Sequence, residues 1–184
     1  HGISSRDDDT GIIVELGNIY IINYIKLLLW DLDSRSYGYV VDISVDRDYW
    51  ERVIDYSNYR CRSWQHLYFE SRPVKFIRIR GTYNSVNRVF HLVSVEGIFT
   101  TAVPKTIDGI IVPNYNVASI DKSAIVLEGV SRHKHSLING NCKDYDWDCG
   151  YTCHQLNSGM IVIQLGQVYL IDSFKLLLWD CDER

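Results

Sequence analysis

Two short runs of the chain hold acids and a base at a spacing that can do chemistry. Asp31, Asp33 and Arg35 follow Trp30 at intervals of two, and Asp180, Asp182 and Arg184 follow Trp179 in the same way. Two carboxylates and a guanidinium can act as general acid, general base and charge clamp. Neither run is accompanied by a nucleophile, a positioned His or a metal set, which a catalytic site requires. After an apolar strand, Asp and Arg at this spacing more simply form a hydrogen-bonded ion pair that fixes a loop. We therefore read Asp31, Asp33, Asp180 and Asp182 as structural loop ion-pair residues and assign no catalytic residue. The chain is expected not to be an enzyme.

Cys142, Cys149, Cys153, His133, His135 and His154 gather in one stretch. Zinc prefers four ligands at tight spacings such as C-x2-C. The cysteines here run C-x6-C-x3-C, which fits no common site, so no metal and no cofactor are assigned. Asp7-Asp8-Asp9 can attract calcium through oxygen ligands, but a solvated acidic turn before a strand is the better reading.

The elements that must position these residues come in two copies. Leu16 to Arg35 reads LGNIYIINYIKLLLWDLDSR, and Leu165 to Arg184 reads LGQVYLIDSFKLLLWDCDER. Twelve of twenty positions are identical at a fixed offset of 149 residues. Such a repeat means two copies of one domain. The first copy is expected over residues 1–100 without its opening strands, then a linker over 101–123. The second is expected over 124–184 without its closing strands, so that the 184 residues are a piece of a longer tandem. The offset also admits one permuted barrel, in which residues 36–100 pair with 124–160 and the two repeated segments compete for one place.

Thirteen Tyr and five Trp against one Met favour pleated, half-buried surfaces. Apolar or alternating stretches at Ile12–Leu16, Tyr20–Trp30, Tyr39–Val45, Trp50–Ile54, Trp64–Phe69, Val74–Arg80 and Phe90–Phe99 read as strands, with a turn at Gly17-Asn18. Short strands at intervals of roughly 8–12 residues without helical periodicity predict an all-β sandwich or barrel. The net charge is −4, and no basic stripe points to nucleic acid. No polybasic run points to a membrane surface, and no apolar run is long enough for a membrane helix. The five cysteines are odd in number and do not repeat with the domain, since Ser4 stands for Cys153 and Leu32 for Cys181. That pattern predicts free thiols and a reducing, cytoplasmic compartment.

Several motifs in this order resemble the discoidin, or coagulation factor 5/8 type C, family. They are YVVDISVDRDYW (39–50), LYF (67–69), KFIRIRG (75–81), Asn84 or Asn87, VEGIF (95–99), LINGNCKDYDWDCGYTCHQL (137–156) and IVIQLG (161–166). The resemblance implies a galactose-binding-like jelly-roll barrel of eight strands that recognises its ligand through loops at one end. The matching loops are 31–38, 82–88 and 131–136. They place Arg35, Tyr37, Tyr83, Asn84, Asn87, Arg88 and His133 as candidate partner-binding residues. Tyr and Arg are enriched in protein hot spots, and the polar loop tips speak against lipid.

LLLWDxDxR, RSWQxLYF, EGVSR and YDWDxGYTCHQL are similar, more narrowly, to proteins that set a BTB/POZ and BACK region ahead of two discoidin-like domains. That implies a non-catalytic protein-interaction region of an intracellular BTB adaptor. Its partners would be an unknown target and a cullin-type ubiquitin ligase, the latter through a BTB part that this chain does not contain. The alternative is an extracellular discoidin module that binds glycan, lipid or receptor.

Overall fold

A computed structural model describes residues 10–182. Two compact units divide the chain. One holds the described residues up to Val112 together with Gln167–Tyr169, and the other holds Pro113–Gly166 and the described residues from Leu170.

The first unit is built on β1 (Ile12–Leu29), β2 (Tyr37–Ser44), β3 (Glu51–Cys61), β4 (Trp64–Asn84) and β5 (Leu92–Ile98). They form one antiparallel sheet in the order β3-β2-β4-β1-β5. The fold class is the expected one, all-β, with one correction: the sheet does not close into a barrel. Closure would need β3 to pair with β5, and the two remain at opposite edges of the order.

Two long strands change neighbours along their length. The first half of β4 lies against the second half of β1, with Leu67 opposite Ile25. The second half of β4 lies between β2 and the start of β1, with Ile79 opposite both Val41 and Ile12. A single core joins both wings: Ile25, Leu27, Leu29, Tyr37, Tyr39, Val41, Leu67, Ile77 and Ile79 are all fully buried.

Two sequence expectations are corrected here. The turn at Gly17-Asn18 lies within the continuous strand β1. Glu15 pairs with Phe76 and Tyr20 with Val74, so the residues between them are a bulge and not a strand end. Likewise 64–69 and 74–80 are one strand that runs through Pro73, whose Cα partner is Ile21. Within this unit β1 takes β4 on one side and β5 on the other, so residues 12–29 fill the place that the permuted barrel would leave to competition.

Past β5, β6 (Thr106–Ile107) and β7 (Ile110–Ile111) form a small hairpin. Its turn residues Asp108 and Gly109 both have positive φ, 51° and 77°, as the favoured two-residue hairpin turn requires. Gln167–Tyr169 completes this unit. The Gln167 side chain accepts a bond from the His66 amide at 2.7 Å and donates one to the His66 carbonyl at 3.3 Å, while Tyr169 bridges Ile111 in parallel. A side-chain amide thereby satisfies backbone groups of β4 that no strand pairs.

The second unit pairs β8 (Ile125–Glu128) with β9 (Val162–Gln164) and adds short 3-10 turns at Ile120–Lys122 and Ser136–Ile138. Ala124, Val117 and Ile138 are its buried apolar residues.

Candidate functional site

The residues after β4 shape a well-bonded loop of the first unit. Asn84 ends the strand and organises the turn beyond it. Its Oδ1 accepts bonds from the amides of Val86 at 2.9 Å and Asn87 at 3.4 Å, and its Nδ2 donates to Asn87 Oδ1 at 2.8 Å and to the Val89 carbonyl at 2.6 Å. Asn87 Oδ1 also accepts the Val89 amide at 2.9 Å. Asn side chains favour such local turns. Both amides are thus engaged in closing the loop, which makes Asn84 and Asn87 positioning residues for the side chains around them.

That loop borders a cleft of about 290 Å³ lined by Thr82, Tyr83, Asn84, Asn87, Arg88, Val89 and Phe90. Four of the sequence-predicted residues, Tyr83, Asn84, Asn87 and Arg88, meet there. The Tyr83 ring is held by the Arg60 guanidinium, 3.6 Å from the ring centroid. Such a contact contributes about 0.5–1 kcal/mol at an exposed site. Phe90 packs on Gly81 so closely that an added Cβ would sit 2.3 Å from its ring, a position only glycine permits. Sequence reasoning missed Arg60 and Phe90. The register of β2 against both β3 and β4 brings Arg60 in, since Tyr37 pairs with Cys61 on one side and Asn84 on the other, and Phe90 arrives by packing on Gly81.

The 31–36 loop is tied to this one, because the Ser85 amide donates to the Ser36 carbonyl and the Ser36 amide donates to Ser85 Oγ, both at 3.0 Å. Within it Arg35 grips Asp33 with Nε at 2.8 Å, Nη2 at 2.7 Å and its own amide at 2.9 Å, and its guanidinium lies 4.1 Å from the Trp30 ring. The side-chain bond from Arg35 holds the Asp33 carboxyl down at about 2. Arg62 donates through Nη2 to the backbone carbonyls of Asp31 and Asp33, at 3.1 and 3.2 Å.

Tyr37 is corrected. It is the first residue of β2 and fully buried, with its hydroxyl 3.3 Å from His91 Nδ1 and its ring edge-on to Phe90. It is a core residue and presents nothing to a partner.

In the second unit His133 is exposed and accepts bonds at its carbonyl from the Ser136 amide and hydroxyl. Tyr145 donates its hydroxyl to Asp180 at 2.5 Å, and that bond pushes the phenol up to about 12. Asp182 follows two residues on, while Arg184 and Asp7-Asp8-Asp9 lie outside the described residues. Trp147 is 59% exposed and packs edge-on against Trp179 with centroids 5.2 Å apart. All five cysteines are free, and only Cys61 is buried. Among the described residues no three His, Cys, Asp or Glu side chains are placed to hold a metal, and no helix is long and apolar enough to cross a membrane.

No protein-family profile matches the chain. It is similar along its whole length to BTB/POZ domain-containing protein 9. The identity is 58% with the Drosophila melanogaster protein, over 96% of this chain and 24% of that one. With the Mus musculus and Homo sapiens proteins it is 56% and 55%, over 100% of this chain and 31% of each. The chain therefore spans less than a third of the length of these relatives, and they bear out the narrower resemblance read from the motifs. Two solved structures are similar over about half of it. One is a carbohydrate-binding module (CBM32) of AlyQ in complex with 4,5-unsaturated mannuronic acid, with TM-score 0.42 and 22% identity, covering 48% of this chain and 69% of that one. The other is a pectin-binding carbohydrate-binding module, with TM-score 0.43 and 18% identity, covering 50% and 68%.

Proposed function

We propose that this chain is a non-catalytic protein-interaction region of an intracellular BTB adaptor, and that the adaptor delivers a bound target to a cullin-type ubiquitin ligase. The observation that carries the reading is identity of 55–58% to a BTB/POZ protein over nearly every residue of the chain. The loop cleft supports the reading. Tyr83, clamped by Arg60, and Arg88 beside it form a small aromatic and cationic surface on a loop whose shape is fixed by two Asn side chains. Tyr and Arg are enriched among the residues that carry binding energy, and a Tyr ring already held by Arg60 loses little freedom when it engages. Five free thiols accord with a reducing compartment.

The test compares the natural chain with a Tyr83→Ala/Arg88→Ala double variant as bait in cytosolic extract, with circular dichroism to show that both fold. A set of proteins retained by the first and depleted at least tenfold by the second is the expected result. Equal retention of every protein refutes the cleft as the site. Binding to glycans or lipid vesicles with no protein retained replaces the adaptor reading with that of an extracellular module. The ligase half is tested in the full-length relative. Deletion of this region should leave cullin co-precipitation intact and abolish capture of the target.

A further inference from the structure

Two guanidiniums stand at the loop cleft, Arg88 in its wall and Arg60 on the Tyr83 ring, and among the described residues no Asp or Glu lines it. Other arginines of the first unit are answered by acids: Arg35 by Asp33, Arg52 by Asp42 and Asp55, and Arg72 by Glu51 and Glu70. These two are not. Among the described residues the Arg88 side chain has no ion pair, hydrogen bond or ring contact. Arg60 has the Tyr83 ring and one bond from Nη1 to the Tyr59 carbonyl at 3.3 Å. Asp33, in the bordering 31–36 loop, turns both of its oxygens to Arg35.

The fold brings Arg60 to this place by a specific device. β2 separates β3 from β4 in the sheet, yet Arg60 of β3 touches Tyr83 of β4. Tyr37 pairs with Cys61 and Tyr39 with Tyr56, so residues 57–60 bulge opposite Gly38 alone. A bulge of this kind re-aims the side chains it carries. Gly38 also stands opposite Tyr83 on the other side of β2. A Cβ there would lie 2.8 Å from the Ser57 carbonyl and 3.3 Å from Tyr83 Cβ, so the bare backbone keeps the crossing open.

A guanidinium laid on an aromatic face keeps N–H groups at its edge, and their fork matches the paired oxygens of a carboxylate. Stacking also fixes a long side chain before any partner arrives, which lowers the entropy lost on binding. Beside the cations lie open apolar surfaces, since Tyr83 is 39% and Val89 54% exposed. A phosphate, with more charge and three oxygens, calls for further donors. The Asn84 and Asn87 amides that could supply them are already engaged in closing the loop.

We infer that the loop cleft takes an acidic peptide segment of its partner, with carboxylates on Arg88 and Arg60 and an adjoining apolar side chain on Tyr83 and Val89. The inference rests on the reading of this cleft as a protein-binding site and names the chemistry of what binds. The probes are random dodecapeptides displayed on phage and selected on the immobilised chain. The enriched peptides are then synthesised, and their affinities for the natural chain and its variants are measured by fluorescence polarisation, with circular dichroism on each variant.

The selected peptides should be enriched at least twofold in Asp and Glu over the unselected library. Arg88→Gln should weaken them at least tenfold and Arg60→Gln by less, because one N–H of Arg60 is already engaged. Lys105→Gln, which removes a positive charge outside the cleft, should leave the affinity unchanged. Peptides that depend on Tyr83 and show no acid excess overturn the inference and leave the cleft as a protein site. Peptides that bind the Tyr83→Ala/Arg88→Ala variant unweakened overturn both. Recovery of no binding peptide overturns the acidic partner. A phosphoserine peptide at least tenfold tighter than its Glu parent replaces the carboxylate by a phosphate and overturns it too.

Discussion

Replacing Asp42 by Asn removes one charge and almost no volume, so it isolates what the buried carboxylate does. Asp42 accepts from Arg78 Nε at 3.2 Å and Nη2 at 3.0 Å, and Arg78 is almost entirely out of water. Removing one partner of a buried pair leaves the other charge uncompensated and costs about 3–5 kcal/mol. The amide nitrogen of Asn would also bring a donor toward donors. The Arg52 contact adds little, because that guanidinium is 43% exposed and such pairs contribute only about 0–1 kcal/mol. The expectation is therefore asymmetric: Asp42→Asn lowers stability by about 3–5 kcal/mol and Arg52→Gln by less than about 1 kcal/mol. Removing both charges of the inner pair, as Asp42→Leu/Arg78→Met, should cost much less than Asp42→Asn, since well-packed apolar replacements of buried pairs are often neutral. Urea unfolding followed by tryptophan fluorescence measures all three. A loss below about 1 kcal/mol for Asp42→Asn would show that water reaches Arg78 and refute the buried-charge reasoning.

Three further outcomes are expected of the same structure. The Asp33 carboxyl should titrate near 2 by NMR, and Arg35→Gln should return it to about 3.9, the ordinary range. Because its folded value is depressed, its contribution to stability is present above the unfolded value and is lost as pH falls through about 2. Cys61 is fully buried and its thiol is pushed up to about 12 by desolvation, so at pH 8 a thiol reagent should label Cys142, Cys149, Cys153 and Cys181 in the folded chain and reach Cys61 only on unfolding; prompt labelling of Cys61 would contradict its burial. Tyr24→Ser, which installs the residue of the second copy in β1, removes the stack on Tyr68 at 4.5 Å and the hydroxyl contact with His66 Nδ1 at 2.6 Å; the loss should approach the roughly 3–5 kcal/mol of a buried aromatic truncation in the same urea assay.

Strand content was legible because alternation is a local signal: Ile77 and Ile79 are buried in the core, and Val41 and Ile43 with them. The outer face of β2 was not legible in this way. Asp42 and Ser44 are the polar members of the 39–45 alternation, yet every residue of β2 is buried. Asp42 is covered by Arg78, thirty-six positions away, and pairings at that range leave no periodic trace. The loop cleft was half legible. The resemblance to the discoidin loops marked 82–88 with its Tyr, Asn and Arg residues, but Arg60 reaches Tyr83 only through the strand register. Tyr37 was misplaced for a related reason. Its neighbours Ser34 to Gly38 look like a loop, and only the pairing of Tyr37 with Cys61 and Asn84 makes it strand and core.

The repeated segment shows how far local sequence can carry such a reading. Lys-Leu-Leu-Leu-Trp-Asp occurs at 26–31 and again at 175–180. In the first copy Leu27 and Leu29 are fully buried, with β4 on one side of the strand and β5 on the other. In the second, Leu176 and Leu178 are 78% and 76% exposed and the stretch is not in a ladder. Intrinsic preference is the same in both places, so it cannot be what makes β1 a strand. What differs is the presence of hydrogen-bonding partners along both edges and of a core to face. The first copy also has features that the second lacks. Asn23 donates to the Thr100 carbonyl at 2.8 Å and accepts the Thr100 amide at 2.9 Å, and Asp172 in the equivalent position has no amide hydrogen with which to donate. Tyr24 is replaced by Ser173, which cannot stack. The place between β4 and β5 is thus matched to the first copy by side chains at the ends of its ladder, while the shared apolar run supplies only the general affinity for a sheet.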